Sequence, residues 1–428
     1  MWRNRDFIRL WGGQTISEFG DQVTNLAIPF VAILVLKAST FEFAALRVVE
    51  MLPFSLLSLP AGVWVDRLRR RPILITADCG RALALASVPV AYALGALTLG
   101  QLYVVAFVTG TLQVCFDVSY QSYLPSLVER EELSAGNSKL ATTQSAAQVA
   151  GPGLAGVLIG VLKAPFAVAV DAASFVASAL FVARIERREI TPEASGRRRM
   201  RSEIAEGIRY VVRHPLMRPG LMWVATSNFF NSVLGAVFLI FAVRRLHLTA
   251  TTVGLIFSLG NIGVLAGAML APRIGRALGV GRALIVFSAL GGAAWFFVPA
   301  ATRGSAIPFL IAAQVLFGFC AVATNVVGIS IYQAITPNRL LGRMNASRRF
   351  VVWGIMPFGS LLGGVLGAGI GLRPTLWVAA TGSAVAFLPM LFSPWRRVWT
   401  HADGEDLSLA LNDEFLAAAS APISQRVS

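Results

Sequence analysis

Apolar residues dominate long stretches of the chain from Phe7 to Phe392, and only short polar or basic segments interrupt them. Each stretch has about 20 residues or more, the length a helix needs to cross a hydrocarbon core of about 30 Å. Continuous runs such as 164–182 lack the apolar and polar alternation of membrane β-barrel strands. Because lipid cannot hydrogen-bond to the backbone, these stretches must form helices. The pattern predicts an all-α membrane protein.

The apolar stretches fall into two sets of six, separated by a polar segment. The first set lies at 12–36, 42–65, 73–98, 101–125, 137–162 and 164–184, and the second at 219–244, 251–272, 282–301, 306–334, 345–370 and 374–393. We therefore predict twelve transmembrane helices. The predicted units are an N-terminal six-helix bundle (1–184), a cytoplasmic linker (185–217), a C-terminal six-helix bundle (218–394) and a cytoplasmic tail (395–428).

Local matches between the two sets indicate an internal repeat. Tyr120 and Gln121 match Tyr332 and Gln333 at an offset of 212 residues, Asn137 matches Asn345 at 208, and Arg67 matches Arg273 at 206. Repeated bundles are a common way for transporters to build a site that can face either side of the membrane. We predict two pseudo-symmetric bundles.

The net charge of +15 comes from basic residues clustered in alternate connections between the apolar stretches. Since cytoplasmic loops carry the excess of Lys and Arg, this alternation puts both termini in the cytoplasm. The basic residues do not cover one polar face, so nucleic-acid binding is not predicted. With 56% hydrophobic residues, 14% charged residues and a mean hydropathy of +0.67, the composition argues against a soluble fold, which carries about 25% charged residues.

Motifs for catalysis, metal binding or nucleotide binding are missing from the sequence. The three cysteines lie in apolar stretches without metal-ligand spacing, and the three histidines are isolated. No glycine-rich phosphate loop followed by Lys and Ser or Thr occurs. We therefore expect neither an enzyme nor a cofactor, and no pump that uses ATP within this chain.

Polar residues in the first span share one helical face. Gln14, Glu18, Asp21 and Asn25 are spaced i, i+4, i+7 and i+11, which turns them together into the bundle. Because ionisable groups inside a membrane are costly, each is a functional candidate. Asp21 is a candidate proton site, with Glu18 beside it. The alternative is a carboxylate held permanently by an arginine or by amides.

The fourth span repeats this pattern with Gln113, Asp117, Tyr120 and Gln121, and Asp117 is the second candidate proton site. Asn228, Asn231 and Asn325 are candidates for lining a substrate cavity, together with Gln14, Asn25, Gln113, Tyr120 and Gln121. A mostly apolar cavity with scattered amides suits bulky amphipathic cargo.

Three further charged sets within spans are left outside the candidate site. Arg47 and Glu50 are three residues apart and are interpreted as a structural pair. Asp78 and Arg81 repeat that spacing, and Asp171 has no evident partner in the sequence.

The segment from Gly62 through Asp66 and Arg67 to Arg71 resembles the G-x-x-x-D-R-x-G-R-R loop of the major facilitator superfamily, with Arg69 in place of a glycine. In that family the acid and the bases hold the cytoplasmic gate closed. The resemblance assigns this role to Asp66, Arg67, Arg70 and Arg71, whereas the alternative is a basic loop that only sets topology.

In span five, Gly151, Pro152 and Gly156 resemble the G-P-x-x-G-G motif of antiporters in this superfamily, with Ala147 and Ala155 in place of two glycines. Small residues four apart let helices approach closely, and a proline within the span bends it. Tight helix packing alone is the alternative explanation.

Segments 19–22, 116–125 and 342–345 extend the resemblance to the branch that includes the enterobactin exporter and macrolide efflux proteins. This similarity implies a monomeric secondary transporter in a bacterial inner membrane, and 34 arginines against three lysines suit a GC-rich bacterial genome. The implied function is proton-driven export, by proton antiport and alternating access, and the resemblance does not fix the cargo. From the predicted cavity lining we expect small amphipathic molecules, such as drugs or siderophore-like metabolites. A proton-coupled importer remains the main alternative, followed by a channel or scramblase.

Overall fold

Twelve long helices make up the part of the chain that this computed structural model describes, namely residues 4–65, 68–186, 209, 212, 214, 216–336, 338–400 and 403. The first six are α1 (Arg5–Phe30), α2 (Thr40–Val65), α3 (Arg70–Ala93), α4 (Leu99–Leu127), α5 (Leu133–Leu162) and α6 (Ala164–Ala183). The second six are α7 (Met217–Ile240), α8 (Ala250–Leu278), α9 (Val280–Ala293), α10 (Ala306–Ile335), α11 (Asn338–Gly369) and α12 (Leu372–Val385). Helix α9 continues through a 3₁₀ turn to Ala300, and a short helix, Leu388–Leu391, follows α12.

Length and hydropathy make these helices suitable for crossing a bilayer. Within the described residues, eleven spans are long and apolar enough, and α2 is the remaining long helix. The prediction of an all-helical membrane protein with twelve transmembrane helices is therefore confirmed.

The backbone repeats itself at an offset of 210 residues. Helices α1 and α7 both end in a five-residue π turn, Val31–Val35 and Phe241–Arg245. In the turn that follows, Lys37 has φ 51° and His247 has φ 57°, left-handed conformations that are uncommon outside glycine. The same unusual geometry at equivalent places confirms the predicted pseudo-symmetry.

Helices within each half pack closely, and two extensive helix contacts, with smaller ones beside them, connect the halves. In the first half α1 packs on α5 and α6, and α3 packs on α4 and α6; in the second half α7 packs on α11 and α12, and α8 packs on α10. Between the halves, α5 lies against α8 and α2 lies against α11. The boundaries predicted at 184/185 and 217/218 stay predictions, because residues 187–208 lie outside the described part.

The two halves are in contact near one face of the bundle. Twelve crossings place the start of α1 and the end of α12 on the same face, which we call the terminal face; the turns at 36–39 and 246–249 lie on the opposite face. There the Arg244 side chain donates a hydrogen bond of 2.6 Å to the Ala38 carbonyl. Gly367 of α11 lies so close to Thr40 that a Cβ would be 2.6 Å from its Cγ2. The structure is therefore closed at the opposite face.

Packing against the C-terminal half continues past residue 394. Trp395 is fully buried, and its indole donates a 2.7 Å hydrogen bond to the Leu216 carbonyl. The amides of Val280 and Gly281 donate to the carbonyls of Trp399 and Val398. The start of the predicted tail therefore belongs to the core, while 401–402 and 404–428 lie outside the described residues.

His214 is buried beside this contact, and burial lowers its pKa from 6.5 to about 4. Between these values the unfolded chain binds a proton that the folded chain does not, so stability falls as the pH drops from 6.5 towards 4. We expect this histidine to contribute up to about 3 kcal/mol of that loss. Melting temperatures in detergent at pH 7 and pH 4.5 should therefore differ less for His214→Gln than for the wild type. The exposed His247→Gln is the control, and an equal pH response in all three proteins would contradict the assignment.

Candidate functional site

A buried ion pair lies at the centre of the N-terminal half. Asp78 and Arg81 are 0% and 1% exposed and form a salt bridge on α3. The Arg81 guanidinium also donates to the side-chain oxygen of Gln113 on α4. It lies 4.5 Å from the ring centre of Phe116 and 4.0 Å from that of Phe175. One arginine thereby joins helices α3, α4 and α6.

Further carboxyl groups surround this pair. Gln113 donates a 2.9 Å hydrogen bond to Asp117, which continues the chain of contacts along α4. Asp171 of α6 is fully buried and accepts a 2.8 Å hydrogen bond from Ser174. The Asp21 carboxyl on α1 lies within electrostatic range of Arg81, Asp171, Asp117 and Glu18. We call this group of Glu18, Asp21, Asp78, Arg81, Asp117 and Asp171 the charge cluster.

Close packing of α1 on α6 brings Asp21 into the cluster. Gly20 faces Asp171 and Ser174, and a Cβ at residue 20 would lie 2.8 Å from the Cβ of Ser174. Only a residue without a side chain permits this approach. The glycine next to Asp21 is thus what allows two carboxyl groups 150 positions apart to become neighbours.

The other candidates of the N-terminal half lie around the cluster. Gln14 donates a 2.9 Å hydrogen bond to Glu18, one helical turn away. Tyr120 stacks on Phe116 with ring centres 5.9 Å apart, and Phe116 in turn contacts the Arg81 guanidinium. Gln121 is exposed.

A cavity of about 390 Å³ lies between the two halves, and amide side chains supply most of its polar lining. The amides are Gln22, Asn25, Gln148, Asn261 and Gln314. We call it the interface cavity. Asn25 lines it, whereas Gln14, Gln113, Tyr120 and Gln121 are not among its lining residues. A role of these residues in binding cargo stays a prediction.

Two hydrogen bonds between the halves lie at Pro152, and the proline accounts for one of them. Proline has no N–H, so it leaves the carbonyl of Gln148, four residues earlier, without its helical donor. Asn261 of α8 donates to that carbonyl at 2.5 Å. One residue beyond the proline, the amide of Gly153 donates to the Ser258 hydroxyl at 2.8 Å. Polar contacts around Pro152 thus hold α5 against α8.

The glycines of the same motif allow close contact. A Cβ on Gly156 would lie 2.6 Å from the Ala250 carbonyl oxygen, and one on Gly151 would lie 2.6 Å from the Cβ of Gln22. The Thr251 hydroxyl donates to the Gly156 carbonyl at 3.1 Å. Gly156 therefore permits the close contact between the halves, whereas Gly151 permits close packing of α5 on α1 within the N-terminal half.

Replacing Gly156 by valine should force α5 and α8 apart. We expect a loss of about 1–3 kcal/mol in stability, typical of overpacking. The measurement is the melting temperature in detergent, with Gly235→Val as a matched control, because no atom lies within 4 Å of a Cβ at residue 235. Equal losses in both variants would show that helix propensity, and not the α5–α8 contact, causes the effect.

A second cavity of about 380 Å³ lies inside the C-terminal half. Its polar lining includes the candidates Asn228, Asn231 and Asn325, whose role in binding cargo stays a prediction. Trp223 and Arg348 also contribute to the lining. We call it the C-terminal cavity. It shares Phe317, Ala321 and Val322 of α10 with the interface cavity, so the two are neighbours across one helix.

Comparison with known proteins identifies the family to which this chain belongs. The model of one family, described as transmembrane secretion effector, matches residues 2–420. The chain belongs to this family, a branch of the major facilitator superfamily. It is therefore a transporter and not an enzyme, as the sequence motifs predicted.

Relatives of this transporter are distant. The multidrug efflux pump Tap of Mycolicibacterium fortuitum is 24% identical over 392 residues, 87% of this chain and 93% of Tap. An uncharacterised MFS-type transporter of Bacillus subtilis, YfiS, is 26% identical over 226 residues, about half of each chain (52% and 53%).

Solved structures share the fold. A bacterial homologue of the iron transporter ferroportin in its inward-facing state has a TM-score of 0.70 at 18% identity, with 92% of this chain and 98% of that chain covered. The nucleoside transporter NupG (D323A mutant) has a TM-score of 0.70 at 11% identity, with 91% and 99% covered.

The predicted gating loop of the transporter is described only in part. Gly62 lies in α2, whereas Asp66 and Arg67 lie outside the described residues. Arg70 is the first residue of α3, and Arg71 donates to the carbonyls of Val182 (3.3 Å) and Ala183 (2.5 Å) at the end of α6. Arg71 thereby caps a helix of its own half, and the gating role of the loop stays a prediction.

Asp78, Arg81 and Asp171 of the transporter were not predicted as site residues, yet the structure places them in one cluster with Asp21 and Asp117. The rule that ionisable groups inside a membrane are costly applied equally to all of them. What the sequence does not show is that α3 and α6 pack beside α1.

Proposed function

We propose that the transporter is a proton-driven exporter of small amphipathic molecules, located in a bacterial cytoplasmic membrane with both termini in the cytoplasm. The observation that carries this proposal is the charge cluster, in which a single arginine lies among five carboxyl groups within membrane-spanning helices. Five carboxylates against one guanidinium leave a large excess of negative charge, which is costly at low dielectric. Bound protons relieve this excess.

Alternating access couples these protons to cargo. With the termini in the cytoplasm, the α5–α8 and α2–α11 contacts close the external side, so this state gives its cargo sites access from the cytoplasm. Rocking of the halves opens the external side, where Asp21 and Asp117 take up protons as the cargo leaves. The return movement exposes these carboxyl groups to the cytoplasm, which is less acidic, and the protons dissociate.

The two cavities accommodate the cargo. Amides and aromatic side chains line both, and this mixture suits an amphipathic molecule with a few hydrogen-bonding groups. The similarity to the multidrug efflux pump Tap supports export over import and drugs as cargo. Siderophore-like metabolites are a second class of amphipathic cargo that we propose. The path lies between the halves of a single chain, which supports a monomer.

The proposal is tested by measuring cargo uptake into liposomes that contain the purified protein. A proton gradient of each sign is imposed in turn. We expect a panel of amphipathic drugs and siderophores to include compounds that move against the direction of proton flow. Cargo that moves with the protons would identify an importer. Leakage that ignores the gradient would identify a channel or scramblase. Either result overturns the proposal.

A further inference from the structure

The internal repeat gives each residue of the charge cluster a counterpart in the C-terminal half. The offset of 210 residues relates the two π turns, the starts of α2 and α8, and the starts of α3 and α9. At this offset Glu18 corresponds to Asn228, Asp21 to Asn231, Asp78 to Ser288 and Arg81 to Gly291. Every charged residue of these four has an uncharged counterpart.

The uncharged counterparts of these charged residues lie at the C-terminal cavity. Asn228, Asn231, Ser288 and Gly291 all line it. In the N-terminal half the Arg81 side chain fills the equivalent place and packs between two phenyl rings. In the C-terminal half Gly291 contributes no side chain, and a Cβ at this residue would lie only 2.9 Å from the Cβ of Cys320 on α10. The residues that correspond to the charged positions of the first half thus line a cavity that has no counterpart of the Arg81 guanidinium.

Arg348 determines the charge of this cavity. Among the described residues that line it, Arg348 is the one with a formal charge at neutral pH, and none is a carboxylate. Its guanidinium lies 4.9 Å from the ring centre of Tyr332. The described residues include no carboxylate in a salt bridge with Arg348. A guanidinium in a half-apolar site matches a planar oxyanion, which it can bind through two parallel hydrogen bonds.

We propose that the C-terminal cavity binds an amphipathic anion, with its carboxylate or similar oxyanion on Arg348 and its apolar part among the aromatic side chains. This inference rests on the proposed function for the direction of transport and adds the charge class of the cargo. The inference also assigns different roles to the two halves: the N-terminal half exchanges protons, and the C-terminal half selects the cargo. Export of an anion in exchange for a proton moves positive charge inward, so an inside-negative membrane potential also drives it.

Binding of three matched compounds, without any gradient, tests the inference separately from transport. The compounds share a naphthalene skeleton and carry a propionate, its methyl ester or a primary amine in the same position. Equilibrium binding is measured with the full-length transporter in lipid nanodiscs. We expect the carboxylate to bind about 10-fold or more tightly than the ester, as charge-assisted hydrogen bonds provide.

Variants at residue 348 assign the selectivity to the guanidinium. Arg348→Gln should lose the 10-fold preference for the carboxylate, Arg348→Lys should keep most of it, and Arg348→Glu should favour the amine. Arg276→Gln is the matched control, because Arg276 is exposed on α8 and does not line the cavity. The preference should be unchanged in that variant.

Several results would overturn the inference: equal binding of ester and carboxylate to the wild type, preference for the amine, binding of none of the three, or equal weakening of all three by Arg348→Gln. If the selectivity holds while gradient-driven export fails, the cavity assignment stands and the proposed function falls. If export is observed without this selectivity, the proposed function stands and the assignment falls.

Discussion

Replacing Asp21 by asparagine is expected to abolish proton-driven accumulation while cargo exchange without a gradient continues. Asparagine has nearly the shape of a protonated carboxyl group, so the helices can still pack, but it cannot release or bind a proton. Coupling between two ligand sites is typically worth about 1–3 kcal/mol, so we expect gradient-driven accumulation to fall about 10- to 100-fold. Radiolabelled cargo in liposomes measures both activities.

Asp117→Asn should have a similar effect, because Asp117 belongs to the same group and is linked to Arg81 through Gln113. Glu50→Gln is the control, since Glu50 pairs with Arg47 on α2 outside the charge cluster. If Asp21→Asn and Asp117→Asn both retain wild-type accumulation, the proton site lies elsewhere. If the control also loses coupling, the measurement reports general damage.

The spacing along α1 was sufficient to predict that Glu18 and Asp21 face the interior, because helical periodicity is a local property. Their partners were not predictable in this way. Asp171 follows Asp21 by 150 positions, and the two meet only because α1 and α6 approach each other at Gly20. A glycine in a membrane helix has several possible roles, so the sequence does not specify which helix packs against it.

The repeat and the proline motif show a similar limit. Matched residues about 210 positions apart predicted two related halves, and the paired π turns confirm this. A carbonyl left without a donor at Gln148 follows from Pro152 alone. That Asn261 provides the missing donor depends on the packing of α5 on α8, which local sequence patterns do not contain.

The C-terminal cavity contains residues that the sequence patterns alone did not indicate as candidates. Asn228, Asn231 and Asn325 were candidates because polar amides within apolar spans are suited to line a substrate cavity. Gly291 and Arg348 were not candidates, since a glycine has no chemistry of its own and Arg348 is one of many arginines near span ends. The structure gives this glycine a packing role, because a Cβ at residue 291 would lie 2.9 Å from the Cβ of Cys320 on α10.

Replacing Arg81 by leucine is expected to destabilise the protein by about 3–5 kcal/mol, the typical cost of leaving a buried charge without its partner. Asp78 is fully buried, and its counter-ion would be lost together with the guanidinium that joins α3, α4 and α6. Unfolding in a titration with denaturing detergent measures the change. Arg47→Leu breaks a partly exposed ion pair on α2 and should cost about 0–1 kcal/mol.

The double variant Asp78→Leu with Arg81→Leu separates two causes of this loss. If the stranded carboxylate dominates, removing both charges should recover most of the stability, because apolar replacements of buried ion pairs are often neutral. If the double variant is as unstable as Arg81→Leu alone, the contacts of Arg81 with Gln113, Phe116 and Phe175 dominate. A loss no larger than that of Arg47→Leu would show that the cluster does not hold the N-terminal half together.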